Sequence, residues 1–180
     1  EVISNAVPVP RLPEVPAVSA ETLAVRTPSK VILGLGRLSH EKGFDRLLDA
    51  FASVAADFPD WRLRILGEGP LRELLQEQIN KRGLHELQLD QGAIFVLPSR
   101  YEGFPNALLQ AMSRGLACIS YDCESGPAEM IRSETNGLLV PADSVSELAQ
   151  ALKRLMGDEA LRHRLAVEAL QVTERFSVEK

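Results

Sequence analysis

The chain has 180 residues, of which 45% are hydrophobic and 25% charged, which is ordinary for a globular protein with one sizeable core. Its formal net charge of −5 argues against a general affinity for nucleic acids or anionic membranes. No apolar run approaches the roughly 20 residues that a membrane span requires, and we expect a cytoplasmic protein.

Residues 1–30 differ from the rest of the chain. Five prolines punctuate this stretch, which has no helical or strand period and resembles an extended linker in composition. An independent domain does not normally begin in this way. We therefore interpret residues 1–30 as a linker or tail from a missing N-terminal domain, and residues 31–180 as one domain.

Short apolar runs alternate with amphipathic segments from Val31 onward. In chain order, the first half predicts a strand at Val31–Leu35, a helix at Phe44–Phe58, a strand at Trp61–Leu66 and a helix at Pro70–Arg82. The second half predicts a strand at Ala93–Leu97, a helix at Pro105–Ser113, strands at Ala117–Ser120 and Leu138–Val140, a helix capped by Asp143 or Ser144 that ends at Met156, and a helix at Glu159–Phe176. This alternation predicts an α/β fold, a doubly wound and mainly parallel sheet with helices on both faces.

The connection between Arg82 and Ala93 is too short for this pattern. A parallel sheet would need another strand and a crossover there, and a crossover alone takes at least about 10–12 residues. Either Glu86–Leu89 is a strand antiparallel to the next one, or residues are absent around Leu89–Gln91. We favour the absence.

The first candidate binding segment, Gly34–Gly43, leaves the end of the first predicted strand. Ligands of open α/β sheets bind beyond the carboxyl ends of the strands. Glycines let the backbone approach a diphosphate, while Arg37 and Lys42 supply positive charge. The alternative is a solvated turn in which Lys42 pairs with Glu41 or Asp45.

The second segment, Pro98–Gln110, also leaves a strand end and enters a helix. Gly103 permits a tight turn, and the Glu102 carboxylate can accept two hydrogen bonds from sugar hydroxyls. Gln110, one helical turn inside, can donate and accept. The alternative makes Glu102 a residue that complements the helix dipole and Gln110 a surface amide. The N–H groups that could face an anion here belong to Phe104, Asn106 and Ala107, since Pro105 has none.

Together these segments closely resemble the donor-binding domain of the family 4 glycosyltransferases, which have the two-domain GT-B fold. The resemblance covers most of residues 31–177. Its motifs are Gly36-Arg37-Leu38 with Glu41-Lys42-Gly43, Gly67-Glu68-Gly69-Pro70, Val96-Leu97-Pro98-Ser99, Glu102-Gly103-Phe104-Pro105-Asn106-Ala107, Ser125-Gly126-Pro127-Ala128-Glu129 and Asn136-Gly137-Leu138-Leu139-Val140-Pro141. Their order and spacing in one chain are highly specific.

The resemblance implies a role for each site residue. Arg37 and Lys42 would grip the donor diphosphate and stabilise the departing nucleotide, and Glu102 would position the transferred hexose. The implied donor-binding residues are Gly36, Gly67, Gly103, Phe104, Pro105, Asn106 and Gln110. The family usually needs no metal, so we expect neither a metal nor another cofactor.

The chain departs from the family pattern at Gln110, where a second glutamate would bond the ribose hydroxyls. An amide can still bond a diol, although it lacks the extra strength that charge gives a hydrogen bond. The departure therefore bears on nucleotide affinity more than on the overall function.

The resemblance implies retaining transfer of a hexose from UDP-sugar, or another nucleotide-sugar, to a glycan or lipid-linked acceptor. Residues 123–129 resemble the members that build bacterial surface polysaccharides or glycolipids. The missing acceptor-binding domain would be the main partner, and any contact with the inner membrane would be made through it. We expect little transferase activity from the chain as given.

Two alternatives are a nucleotide-sugar epimerase of the same fold and a non-catalytic nucleotide-binding module. The non-catalytic module predicts a phospho-accepting aspartate at a strand end, whereas the strands here end near Gly34, Gly67 and Pro98.

Overall fold

The structure, a computed structural model, describes Ser19, Glu21 and residues 29–80, 92–124 and 126–176. Most of the proposed linker, residues 1–30, lies outside the described residues. So do the predicted strand at Glu86–Leu89 and the suspected gap at Leu89–Gln91.

Five parallel strands form one sheet in the order β2-β1-β3-β4-β5. The strands are β1 (Val31–Leu35), β2 (Arg62–Leu66), β3 (Ile94–Leu97), β4 (Ala117–Asp122) and β5 (Leu138–Pro141). β2 and β3 lie on opposite sides of β1. The predicted α/β fold with a parallel sheet is confirmed.

Seven α-helices of the described ranges cover the two faces of this sheet. They are α1 (Phe44–Val54), α2 (Arg72–Asn80), α3 (Asn106–Ser113), α4 (Pro127–Met130), α5 (Val145–Gly157), α6 (Glu159–Ala169) and α7 (Val172–Arg175), with 3₁₀ turns at His40–Lys42 and Ala55–Asp57. Each strand sends alternate side chains to opposite faces, so the sheet has a core on each side. This doubly wound arrangement is the predicted one.

The two cores follow from this alternation. On one face, Ile32, Ile94 and Ile119 pack under α1, α2 and α5, and the predicted apolar face of α1 is buried among them. On the other face, Leu33 and Phe95 pack under α3 and α7. Because α6 contributes Leu165 to the first core and Ala169 to the second, it joins the two sides.

Three predicted helices differ from the structure by more than one residue at a boundary. The first helix ends at Val54 and tightens into the 3₁₀ turn, because Phe58 precedes a proline and is pushed out of the helical region. The second begins only at Arg72, two residues after Pro70. The last predicted helix is broken around Leu170, whose N–H bonds to Val167 three residues back. The break separates α6 from α7.

Candidate active site

The two candidate segments meet at the carboxyl edge of the sheet because β1 and β3 are neighbours. Gly43 ends the 3₁₀ turn with φ 63° and precedes α1. A Cβ at this position would lie 1.9 Å from the carbonyl oxygen of Pro98. Only glycine therefore permits both this left-handed conformation and this approach.

The central feature of the site is an ion pair between Lys42 and Glu102. The Lys42 Nζ donates to Glu102 Oε1 at 2.6 Å, and the Ser99 hydroxyl donates to the same oxygen at 2.6 Å. The Glu102 side chain is only 6% exposed, whereas that of Lys42 is 28% exposed. Oε2 of Glu102 accepts no hydrogen bond from any described residue. The carboxylate is thus fixed through one oxygen and keeps acceptor capacity on the other.

This pair excludes the simpler interpretation of Lys42 as part of a solvated turn. Lys42 pairs with Glu102 rather than with Glu41 or Asp45, and Asp45 pairs with Arg100 instead. The Glu102 carboxylate bonds both Lys42 and Ser99. Taking two charges largely out of water is costly unless they are paired, so the local fold has to hold this pair together.

Arg37 does not join this ion pair. Its side chain is exposed and forms no ion pair within the described ranges. Its charge, after that of His40, helps to lower the pKa of Glu41, although the Ser39 hydroxyl makes the largest contribution to that shift. The structure therefore brings Lys42 and Glu102 together and leaves Arg37 at the surface.

A second charged cluster, which we call the Arg100 clamp, consists of Arg100, Asp45, Asp143 and Arg46. The Arg100 guanidinium donates to both carboxylate oxygens of Asp45, at 2.8 and 3.1 Å, and also to the His40 carbonyl. Its Nε lies 3.3 Å from Asp143, which accepts a hydrogen bond from Arg46 at 2.6 Å. The clamp thus ties together the loops that follow β1, β3 and β5.

The clamp changes the acidity of its carboxyl groups. Burial alone would raise the pKa of Asp45, but the hydrogen bond and the charge of Arg100 outweigh it and lower that pKa. The hydrogen bond from Arg46 lowers the pKa of Asp143. Tyr121 lies close to the same charges, and burial raises the pKa of its phenol to about 12. Its hydroxyl has no hydrogen-bond partner among the described residues.

The predicted donor-binding glycines have different structural roles. Gly36 donates its N–H to the Leu66 carbonyl at 3.0 Å, so the loops after β1 and β2 lie against each other. A Cβ at Gly67 would lie 1.8 Å from the Gly36 carbonyl oxygen, which leaves no room for a side chain. By contrast, a Cβ at Gly103 would meet no described atom within 4 Å. Gly103 lacks the positive φ that a glycine-specific turn would show. Because no described atom lies near the position of the missing Cβ, its backbone is open on that side.

The helix start after Gly103 differs from the predicted anion site in one respect. The Asn106 N–H donates to the Phe104 carbonyl at 2.9 Å and is engaged in the turn. The N–H groups of Phe104 and Ala107 donate to no described residue. Pro105 is buried at the N-cap position, as its missing N–H allows.

The side chains of Phe104 and Gln110 form no hydrogen bond with any described residue. Phe104 is about half exposed and meets the ring of Phe176 edge-on, with centroids 6.1 Å apart. The side chain of Gln110 is partly buried in α3, and its amide bonds to no described residue. Neither contacts the ion pair of Lys42 and Glu102 through a hydrogen bond.

Both cysteines are buried. Cys118 lies fully inside the core, and burial raises the pKa of its thiol. Burial, and then the charge of Glu102, raise the pKa of Cys123. Within the described parts of the chain, no three potential ligands lie together as a metal site would require. None of the described helices combines the length and apolar character needed to cross a membrane.

Comparison with known proteins identifies the family. Residues 19–172 match the family described as "Glycosyl transferases group 1". The chain belongs to this family. It is 37% identical to an exopolysaccharide phosphotransferase of Streptomyces coelicolor, over 94% of this chain and 20% of that protein. It is 33% identical to the lipopolysaccharide 1,6-galactosyltransferase of Salmonella typhimurium, over 79% of this chain and 45% of that protein. The chain therefore spans less than half the length of these relatives.

Solved structures of group 1 glycosyl transferases and related enzymes share this fold. The C-terminal domain of LpcC from Francisella tularensis, a group 1 family protein, superimposes with a TM-score of 0.70 at 24% identity, covering 83% of this chain and 87% of that domain. The pneumococcal O-GlcNAc transferase GtfA, solved with UDP and GlcNAc, gives 0.72 at 26% identity, over 81% and 32% of the two chains. TarM of S. aureus, solved with UDP, gives 0.76 at 19% identity, over 82% and 32%.

Sequence reasoning did not assign a role to Ser99 or Arg100. Both lie between a buried strand and the Glu102 turn. Two consecutive polar residues at that position were the feature of the sequence that could have indicated a functional role. Their partners are Glu102 for Ser99 and the distant Asp45 for Arg100. The second contact depends on the sheet order and could not be read from the local pattern.

Proposed function

We propose that this chain is the donor-binding part of a retaining glycosyltransferase of the kind grouped as family 4. It would move a hexose from a nucleotide-diphospho-sugar to a glycan or lipid-linked acceptor. The observation that supports this most directly is the ion pair of Lys42 and Glu102 at the carboxyl edge of a parallel sheet. Oε2 of Glu102 accepts no hydrogen bond from the described residues, which suits a group that receives sugar hydroxyls.

Lys42 would act on the diphosphate. An ammonium group carries three donors, so Lys42 can bond Glu102 and a phosphate oxygen at the same time. A unit charge pair at 4 Å contributes about 4 kcal/mol at an effective dielectric of 20. Charge that is stabilised at the leaving nucleotide accelerates transfer, because negative charge grows there as the glycosidic bond breaks. Arg37, exposed in this structure, would add its positive charge to the same phosphates.

Glu102 would orient the hexose. Its fixed carboxylate can accept hydrogen bonds from two sugar hydroxyls, and the open backbone at Gly103 would let the sugar approach. The N–H groups of Phe104 and Ala107 donate to no described residue and could also bond the donor. We assign the nucleoside end to the neighbourhood of Gln110, whose amide would bond the ribose hydroxyls.

The relatives support a role in sugar transfer. Two of them are named for lipopolysaccharide galactosyl transfer and for amylovoran biosynthesis, and two structural neighbours contain UDP. We therefore propose UDP-sugar as donor and a bacterial surface glycan or glycolipid as acceptor, with no metal cofactor. The epimerase and non-catalytic alternatives gain no support from the relatives named above.

The Lys42→Ala variant tests this proposal. Calorimetric titration of the chain with UDP, GDP and ADP identifies the preferred nucleotide, and the variant should bind it roughly tenfold or more weakly. That factor corresponds to the loss of a hydrogen bond between charged groups, about 1.5–3 kcal/mol. Lys153→Ala is the matched control, because Lys153 pairs with Asp57 beyond the far end of α1. Equal affinity in Lys42→Ala and the parent chain would contradict the assignment.

A further inference from the structure

We propose that Arg100 is a positioning residue, which holds Lys42 and Glu102 in the geometry that binds the donor. The inference rests on the proposed function, since it names a residue that acts through the same site. Arg100 itself donates no hydrogen bond to Lys42, Glu102 or Ser99. It acts on the backbone segments that carry them.

Arg100 contacts residues on both sides of Lys42 in the sequence. The side chain bonds the His40 carbonyl on one side of Lys42 and the Asp45 carboxylate on the other. The Arg100 N–H donates to the Glu41 carbonyl at 2.8 Å. Three attachment points within six residues therefore fix the loop on which Lys42 lies.

The same residue also fixes the start of the Glu102 turn. Arg100 lies two residues before Glu102 and directly after Ser99, the other donor to the Glu102 carboxylate. Holding the Arg100 backbone against Glu41 therefore holds Ser99 and Glu102 opposite Lys42. The close approach of Gly43 to the Pro98 carbonyl adds a second backbone contact between the two loops, two residues away from the first on each loop.

The shape of the guanidinium explains why arginine is needed here. Its planar fork reaches both oxygens of Asp45 while one of the same nitrogens bonds a carbonyl and Nε faces Asp143. A lysine carries the same charge on a single nitrogen and cannot reproduce these directions. The side chain is 15% exposed, so water competes weakly for its donors. Arg46 shares Asp143 and keeps that carboxylate in place.

A double-mutant cycle between Arg100→Lys and Lys42→Ala distinguishes positioning from general stabilisation. The readout is the affinity of the full 180-residue chain for UDP, measured by calorimetry. Alone, Arg100→Lys should weaken UDP binding by about fivefold to tenfold. In the Lys42→Ala background the same change should weaken binding by less than about twofold, because the group that it positions is gone. The Asp45→Asn variant replaces one of the two carboxylate oxygens that accept hydrogen bonds from Arg100. It should show the same dependence on Lys42.

The matched control is Arg154→Lys, because Arg154 forms a fork on Glu134 at 2.7 and 2.9 Å outside the site. It should leave UDP affinity unchanged. A second cycle, read by chemical unfolding without ligand, should also show non-additive stabilities for Arg100 and Lys42.

Equal weakening of UDP binding by Arg100→Lys in both backgrounds, or additive stabilities without ligand, would overturn the inference and leave the proposed function intact. If Lys42→Ala binds UDP as tightly as the parent chain, the proposed function itself fails, and this inference fails with it.

Discussion

At the scale of single residues, the Glu102 carboxylate has two unequal oxygens. Oε1 accepts from Lys42 and Ser99, both at 2.6 Å, while Oε2 bonds to no described residue. Ser99 is 1% exposed, so its hydroxyl has been removed from water to make this one contact. A buried hydroxyl that donates to a carboxylate restricts the rotation of that carboxylate and stabilises its negative charge. Ser99 and Lys42 together therefore fix the orientation of the free oxygen.

The Ser99→Ala variant should weaken binding of UDP-glucose more than binding of UDP. Removing a hydrogen bond to a charged group costs about 1.5–3 kcal/mol, and we assign the sugar, not the nucleotide, to Glu102. Calorimetric titration with the two ligands measures the difference. The matched control is Ser53→Ala, because the Ser53 hydroxyl bonds the Ala50 carbonyl within α1, away from Gln110. Equal weakening for both ligands would contradict the assigned role of Glu102.

At the same scale, the sequence predicted the identities of Lys42 and Glu102 but not their contact. Lys42 is followed directly by Gly43, and Glu102 by Gly103, and local patterns of this kind can be recognised as motifs in the sequence. The contact joins residues 60 positions apart and depends on β1 lying next to β3. The engagement of the Asn106 N–H was not predicted either, and here the partner is local, because that N–H closes a tight turn on the Phe104 carbonyl.

At the scale of elements, the Arg100 clamp holds three loops that come from non-consecutive strands. Asp45 belongs to α1, Arg100 follows β3 and Asp143 follows β5. Asp143 has φ 60°, a left-handed conformation that aspartate tolerates better than most residues. The clamp therefore links parts of the chain that follow β1, β3 and β5.

The clamp predicts a specific dependence of stability on pH. The folded-state pKa values of Asp45 and Asp143 lie below their usual range, so the folded chain favours their ionised forms. Their contribution to stability is complete above the unfolded pKa of about 3.9 and is lost as pH falls through the lower folded values. Asp45→Asn should therefore be less stable than the parent near neutral pH, with the difference shrinking below about pH 4.

Urea unfolding of both proteins at pH 7, 5, 4 and 3 measures this difference. Asp49→Asn serves as the control, since Asp49 lies on the same helix outside the clamp. A difference between Asp45→Asn and the parent that stays constant down to pH 3 would show that the carboxylate charge is not what Arg100 binds.

The strands and helices themselves were largely predictable from the sequence. Apolar runs such as Val31–Leu35 are long enough, and bounded clearly enough by turns, to give the strand limits. The interruption between α6 and α7 was not predicted, because the apolar period continues across Leu170. The break is visible in the backbone, where the Leu170 N–H bonds the Val167 carbonyl three residues back, whereas α6 itself already reaches both cores through Leu165 and Ala169.

At the scale of the whole molecule, the five parallel strands end at one edge of the sheet, the carboxyl edge. The chain spans less than half the length of the relatives described above. The proposed function assigns the donor to this edge and assigns the acceptor to a second domain. Catalysis would require both substrates in one closed space, because transfer to an acceptor competes with hydrolysis by water. The donor part alone should therefore bind nucleotide without transferring sugar efficiently.

We expect the 180-residue chain to bind its preferred nucleotide and to transfer at most a trace of sugar to any acceptor. A mass-spectrometric product assay with UDP-glucose and a lipid-linked or glycan acceptor measures this. A chimaera in which the chain follows the preceding part of the Salmonella galactosyltransferase supplies the comparison. Efficient transfer by the isolated chain would contradict the assignment of the acceptor to another domain.

The close approach of Gly43 to Pro98 has a consequence for engineering. Because one backbone lies where a side chain of the other would have to be, the two loops fit each other as a matched set. Grafting either loop alone from a related enzyme would place a foreign backbone against an unadapted one. Donor preference should therefore transfer between relatives only when residues 36–43 and 98–103 are exchanged together.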